Sequence, residues 1–460
     1  MEIVSISKAE ADELMSRSEG HFFDFKSKRI APAKLSRTIS ALSNADGGEA
    51  YVGIEDSKQP NDRWDGFDDV EAANGLVAVL DDLFPSGDVF SYRFLKCDAY
   101  PGLVLSCETL KNQGVWPDTQ GDIYLRKGAQ SLKQDTYEKV ERLRLNKGIK
   151  SFEDSKTELE LGELIQSNVF SRFREVIVPQ AEPDVWLRKQ RVVKDEHVTV
   201  AGLILFSDEP QVVLPKAAIK IARYRTSDEP TRATLEGQPA TIEGSAVDMI
   251  RAAVDHIVGV VERIPVMKDT GLKAVQYPRN AIHEIVTNAV IHRDYSINDD
   301  VHVRIFDNRI EIYSPGPLPA HVTIDNILDE RFARNQKIVR LANKFPDAPN
   351  KDVGEGLNTA FEAMRELQLR DPVVVQINNG VLVVLKHEKL AEPEQAIVGY
   401  LRDNEEVNNS RARVITFIGS ENKVKNIFRK MMVAGIIERI PGRSQAKTGY
   451  RRGPNFPVGE

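Results

Sequence analysis

A single hydrophobic core stops growing well before 460 residues, so this chain must divide into several cores. Its apolar residues come in short runs broken by turn signals, and no run of biased or repeated composition interrupts them. At 41% hydrophobic and 28% charged residues it has the make-up of a globular chain along its whole length, not of a disordered one. No stretch of about 18 uninterrupted apolar residues is present. The start, Met1-Glu2-Ile3-Val4, lacks the basic-then-apolar order of a signal peptide. A reducing, cytoplasmic setting without a membrane span is the expectation, and two cysteines, Cys97 and Cys107, are too few for a disulfide scaffold or a four-thiolate metal site.

Four blocks emerge, expected at 1–148, 149–250, 251–390 and 391–460. The first combines a helix near Pro32–Asn44, stopped by Asp46-Gly47-Gly48, with a strand at Ala50–Ile54. Strands follow at Tyr92–Cys97, Leu103–Cys107 and Ile123–Arg126, and then a helix rich in Glu and Arg that can bridge to the next block. The second block has an apolar run, Val198–Phe206, expected as a strand, and another at Ala217–Tyr224. The third opens with a long apolar-periodic helix from Val247. It continues with strands at Val301–Phe306, Ile310–Tyr313, Val373–Ile377 and Val381–Leu385, the last two joined by the hairpin signal Asn378-Asn379-Gly380. Glu392-Pro393-Glu394 reads as a linker to the fourth. The fold class expected is α+β, multidomain.

Two constellations carry chemistry. In the first block, Glu19, Asp24 and Asp56 lie on separate local elements and can converge at a strand end. Carboxylates suit Mg²⁺ or Mn²⁺, and such ions activate water at a phosphodiester, with Lys26 placed to steady charge on phosphate. Acids make up 69 of 460 residues, however, so their spacing alone does not define a metal site. In the third block, Pro278 suits the first turn of a helix. Ile282, Ile285, Val286, Ala289 and Val290 make its apolar stripe, and Glu284 and Asn288, four apart, share a different face. A carboxylate there can polarise water, and an amide oxygen one turn on can hold Mg²⁺; the plain alternative is a solvated helix face. Downstream, Ser314-Pro315-Gly316 and Gly354-Glu355-Gly356-Leu357 supply glycines, the latter opening a helix whose N–H groups can hold phosphate. His283 and His292 find no third ligand at metal spacing. Arg334-Asn335 reads either as a phosphate contact or as a helix cap.

These residues carry a resemblance. Glu19-x4-Asp24-Phe25-Lys26, the helix ending Asn44-Ala45-Asp46-Gly47-Gly48, Tyr51-Val52-Gly53-Ile54-Glu55-Asp56 and Tyr124-Leu125-Arg126-Lys127-Gly128-Ala129-Gln130-Ser131 resemble the Schlafen-type AlbA domain. Some of its members are metal-dependent ribonucleases with three carboxylates, and many are nucleic-acid binders. By that resemblance Glu19, Asp24 and Asp56 are the metal ligands, although the family's second acid is usually Glu. Asn44, Gly47 and Gly48 read as structural, supplying the turn from helix to strand. Glu284-x3-Asn288, His292-Arg293-Asp294-Tyr295, Ser314-Pro315-Gly316 and Gly354-Glu355-Gly356-Leu357 resemble the RecG-like C-terminal variety of GHKL ATPase, and Val200–Ser207 resembles the linking domain found between the two. This implies a GHKL-like α/β sandwich binding ATP and Mg²⁺. Glu284 would be the general base, Asn288 the metal ligand, Gly354 and Gly356 the phosphate lid, and Gly316 would let the nucleotide approach. The family's adenine-binding Asp is replaced here by Ser314.

The net charge is −7, yet residues 411–460 carry eleven Lys/Arg against three acids. Helix, helix, basic helix, strand, basic loop, strand is the winged-helix order. Lys423, Lys425, Arg429 and Lys430 on the third helix, with Arg443 and Lys447 in the loop, are the expected nucleic-acid contacts. The expectation is an ATP-responsive nucleic-acid-binding protein acting on RNA or DNA, with divalent-metal nuclease activity, a homo-oligomeric state and a stress or phage-defence role implied by analogy. The alternatives are a non-enzymatic transcription regulator that senses nucleotide, and an ATPase scaffold for partner effectors.

Overall fold

The computed structural model describes residues 2–55, 62–84, 89–268, 271–274, 276–330, 332–349, 356–377, 379–387, 393–416, 418, 420–441 and 448–457. Asp56, Gly354, Arg443 and Lys447 lie outside these residues.

The first unit contains β1 (Ile3–Ser5), α1 (Lys8–Ser16), β2 (Phe23–Lys26), α2 (Pro32–Asn44), β3 (Gly47–Val52), α3 (Asn74–Leu83), β4 (Phe90–Lys96) and β5 (Leu103–Leu110). The strands form one mixed sheet in the order β1-β4-β5-β3-β2. Alternation along β3 sends Ala50 and Val52 to a core with α2 and α3. Tyr51 joins the opposite core, with Ala11, Leu14 and Met15 of α1. Asn44 is structural, as the sequence suggested. Its amide donates to the carbonyls of Trp116 and Tyr124 at 2.7 and 2.8 Å, and its oxygen accepts from Trp116 N–H at 2.8 Å. A hairpin of β6 (Tyr124–Lys127) and β7 (Gln130–Lys133) then leads to α4 (Tyr137–Asn146).

Next come β8 (Lys156–Glu160), α5 (Leu161–Gln166), α6 (Asn168–Ile177), α7 (Pro183–Lys189), β9 (Val193–Lys194), β10 (His197–Thr199) and α8 (Val200–Phe206). The run expected as a strand at Val198–Phe206 is therefore three-quarters helix. Every residue of α8 is buried, so the run shows no period by which strand and helix could be told apart. Thr199 decides it by capping, its side chain accepting from the Gly202 N–H.

Then follow β11 (Ile219–Tyr224), β12 (Leu235–Ile242), α9 (Ala246–Val261), β13 (Pro265–Lys268), β14 (Gly271–Ala274), α10 (Arg279–Ile291), β15 (Val301–Ile305), β16 (Arg309–Pro315), α11 (Gln336–Ala342), α12 (Gly356–Glu366), β17 (Val373–Ile377) and β18 (Gly380–Lys386). Six strands make one sheet in the order β12-β11-β15-β16-β18-β17, which runs across the boundary expected at 250. One hydrophobic core extends from Leu161 to Leu385, gathering α8, α9, α10 and this sheet.

The tail contains α13 (Pro393–Asp403), β19 (Val407–Asn408), α14 (Asn409–Thr416), α15 (Glu421–Val433), β20 (Ile437–Arg439) and β21 (Gly449–Arg452), with a three-stranded sheet β19-β21-β20 and a separate small core. The chain is thus a multidomain α+β protein. No helix among the described residues is long and apolar enough to cross a membrane.

Candidate nucleotide cavity and N-terminal acid cluster

Asp24 sits on β2 with its side chain buried. One carboxylate oxygen accepts from Lys26 Nζ at 2.6 Å and the other from Arg126 Nη1 at 3.1 Å. Arg126, on β6, is equally buried and also donates to the carbonyls of Gly20 and Phe23. Glu19 stands beside them, accepting from Phe25 N–H at 3.1 Å and Lys26 Nζ at 3.2 Å. Burial, and then the nearby Glu19 carboxyl, raise the Asp24 pKa above the usual Asp value. Glu19 is pushed up by burial, but the Asp24 carboxyl, Phe25 N–H and Lys26 together hold it below the ordinary Glu value.

The fold therefore brings Glu19, Asp24 and Lys26 together. A divalent ion needs several free oxygen ligands. Here both Asp24 oxygens already face cations, and among the described residues no group of three His, Cys, Asp or Glu is placed to hold a metal. The third acid of the expected set, Asp56, lies outside the described residues.

The second constellation is different. Glu284 and Asn288 project from one side of α10, and the Asn288 amide N–H donates to Glu284 Oε1 at 2.9 Å. Glu284 is buried, and burial raises its pKa against this one hydrogen bond. Beside it opens a cavity of 290 Å³ lined in part by Asn288, Ser314, Gly316, Gly356 and the apolar side chains Ile285, Leu318 and Val383. Gly356, the first residue of α12, is close enough that an added Cβ would stand 3.5 Å from Glu284 Oε1. Ser314 donates its hydroxyl proton to Ala289 O at 2.8 Å. Gly316 lines the cavity, but its missing Cβ makes room for Asp294, whose own Cβ would stand 2.6 Å away, and its φ is +109°.

Asn288 donates one amide N–H to Glu284 and itself lines the cavity, which leaves its carbonyl oxygen without a hydrogen-bond partner among the described residues. An amide oxygen and a carboxylate are the oxygen donor types that suit a hard cation accompanying phosphates. These residues fit the metal and nucleotide that the resemblance implies.

Several charged groups not singled out by spacing prove to be internal. Asp294 accepts from Ser296, from Arg142 of α4 at 2.7 Å and from Arg334 at 3.3 Å. Arg334 also donates to Pro317 O, and Asn335 to Ile291 O and Arg293 O, each Asn335 bond 2.8 Å long. Asn335 is the N-cap residue of α11, and its amide is turned to the C-terminal end of α10. Arg334-Asn335 ties the cavity wall to α10. The wall is also held by the N-terminal unit. Ala320 N–H donates to Asn146 O at 3.1 Å, and Lys111 Nζ donates to Leu318 O at 3.2 Å. The same Lys111 pairs with Asp46 at 3.0 Å. Lys147, buried after α4, donates to the carbonyls of Ser43 and Asn112 at 2.6 and 2.8 Å, and burial lowers its pKa to about 7. The bridging helix expected from sequence is real, and its partners come from elements more than 100 residues apart, which no local pattern signals.

On α15, Ser420 caps the N-terminus, Val424, Phe428 and Met431 are buried, and Lys423, Lys425, Arg429 and Lys430 are all exposed. Lys425 pairs with Glu421 at 2.6 Å.

Comparison with known proteins agrees with this geometry. Residues 19–135 match the family described as Schlafen, AlbA_2. Residues 298–385 match the family described as ATP-dependent DNA helicase RecG C-terminal. The first match spans the acid cluster including Arg126; the second spans Ser314, Gly316 and Gly356 but begins after α10. No curated protein matches. A crystal structure of a Corynebacterium diphtheriae protein aligns over 97% of this chain and 96% of its own at 18% identity with a TM-score of 0.44.

Proposed function

From a chain that joins a Schlafen AlbA_2 domain to an ATPase-like domain of the RecG C-terminal kind, we propose a protein that binds nucleic acid through its first domain and ATP with Mg²⁺ in the cavity beside α10, the second event altering the first. The observation that carries this reading is the cavity itself. Asn288, Gly316 and Gly356 line it, Glu284 is hydrogen-bonded to Asn288, and the wall residue Leu318 and nearby Ala320 are hydrogen-bonded to Lys111 and Asn146 of the N-terminal unit.

In this reading Asn288 O holds the cation, which supplies charge neutralisation for the phosphates when bound. Glu284 is the general base. Burial raises its pKa toward the working range of such a base, and the Asn288 N–H holds its carboxylate in one orientation. Ser314 accepts from the base where the family has an acid. Its hydroxyl proton is committed to Ala289 O, so only its lone pairs face the ligand. The apolar walls exclude water.

The tail, with its helix–strand–helix–helix–strand–strand order and exposed basic α15, is read as a winged helix that adds nucleic-acid affinity. Because Asp24 is neutralised internally, the first domain is read as a binder of RNA or DNA, and no metal-dependent cleavage is assigned to it. Dimerisation of the nucleotide domain and a defence role remain part of the proposal by analogy alone.

The test is binding of labelled RNA and DNA at fixed salt with and without ATP·Mg²⁺, alongside phosphate release. A change in nucleic-acid affinity on adding ATP, lost in Asn288→Ala, is the expected result. A chain that binds no ATP at millimolar concentration would sink the reading.

A further inference from the structure

Between Glu19 and Asp24 the chain makes a tight loop with two aromatic residues at its tip. Gly20 N–H donates to Phe23 O at 2.9 Å, closing the loop around His21 and Phe22. The buried Arg126 guanidinium donates to Gly20 O at 2.9 Å and to Phe23 O at 3.2 Å, so one side chain holds both ends. Phe22 O is held in turn by Glu49 N–H at 2.7 Å and sits so close to Gly48 that a Cβ there would stand 2.5 Å from it. The tip has no freedom to fold its rings inward.

Phe23 and Phe25 pack into the core, but Phe22 belongs to neither core of this unit and is 50% exposed. The His21 ring meets it edge-on, with centroids 4.8 Å apart and an interplanar angle of 88°. His21 Nε2 is fixed by Asp46 at 2.9 Å, and Asp46 by Lys111 at 3.0 Å. The result is an aromatic face turned to solvent and braced from behind, with exposed Lys127 following Arg126; Lys26 at the base of the loop is paired with Asp24 and Glu19.

A rigid, half-exposed ring costs little entropy to use and offers any base a π-face. A duplex keeps its bases stacked on one another, whereas an unpaired base is free to stack on such a ring. We propose that Phe22, oriented by His21, is a stacking contact for an unpaired base of single-stranded nucleic acid. This rests on the nucleic-acid reading of the first domain and adds the strandedness of its ligand. Arg126, Asp46 and Lys111 are positioning residues.

The experiment uses the full chain and a fluorescein-labelled 12-nucleotide single strand, with the blunt duplex of the same sequence, by anisotropy at fixed salt. Phe22→Ala is expected to weaken single-strand binding about tenfold, in the range found for loss of one base–aromatic stack. Phe22→Tyr should restore it, and duplex binding should not change. Phe22 is exposed, so unaltered thermal unfolding of Phe22→Ala accompanies the expected result. Equal single-strand affinity in Phe22→Ala and wild type overturns the stacking contact and leaves the nucleic-acid reading intact. An equal loss on single strand and duplex overturns it too, since a backbone or shape contact would then be at work. Wild type that binds neither oligonucleotide overturns both.

Discussion

Two buried carboxylates on this chain have opposite surroundings. Asp24 faces two cations, Lys26 and Arg126, and its raised pKa comes from burial and a neighbouring acid. Glu284 is buried and, among the described residues, accepts from the amide of Asn288, a residue that lines a cavity. Burial of a charge is tolerated when it is paired and hydrogen-bonded. Left unpaired, it shifts the pKa and leaves a group poised to take a proton. The same side-chain chemistry thus stands once between two cations and once beside an amide next to a cavity.

The comparison breaks most clearly at Asp24. Asp24→Asn leaves Arg126 buried without its counter-charge and should cost about 3–5 kcal/mol of stability, read by urea unfolding. An unchanged unfolding midpoint with altered metal binding would reverse the assignment. Next in size, Glu284→Gln should lower phosphate release about 100-fold, at the lower end of what a general base contributes, while ATP binding is retained. Stability sharpens this point. A raised carboxyl pKa means the folded state keeps its proton longer than the unfolded chain. Wild type should then lose stability relative to Glu284→Gln as pH rises through the carboxylate range.

Lys147 extends the comparison to a buried cation whose hydrogen-bond partners among the described residues are carbonyls. Its folded pKa, about 7, lies below that of the unfolded chain. Between that value and the ordinary lysine range the unfolded chain binds more protons, so stability should rise with pH by up to about 1.4 kcal/mol per unit, and the cost is complete below the window. Thermal unfolding from pH 7 to pH 10 should show this slope in wild type and lose it in Lys147→Met. The smallest effect is expected at Lys111, which joins Asp46 to Leu318 O. Lys111→Met should reduce the ATP-dependent change in nucleic-acid affinity from about fivefold toward none, with ATP still bound.

Local elements were legible from sequence wherever periodicity and punctuation agreed. The helix Pro32–Asn44, the stripe on α10 and the Ser420-capped α15 all follow from apolar spacing with a clear start or stop. Val200–Phe206 did not, because a run buried on all sides has no face to betray its period. The Glu284–Asn288 pair was legible because four residues on a helix is a contact. The Lys26–Asp24 contact is nearly as local, but Arg126 reaches Asp24 from 102 residues away.

By itself, then, the sequence determined the α+β division of the chain, most of its helices and strands, and which acids and amides were candidates for chemistry. Those features depend on neighbours along the chain. Tertiary structure alone decided that Asp24 is paired with Arg126, that the missing Cβ of Gly316 makes room for Asp294, and that the cavity wall is fastened to the N-terminal unit through Lys111, Asn146 and Arg334. The reason is electrostatic and steric. Whether a buried charge is paired, or a glycine crowded, depends on groups that folding brings in from distant parts of the chain.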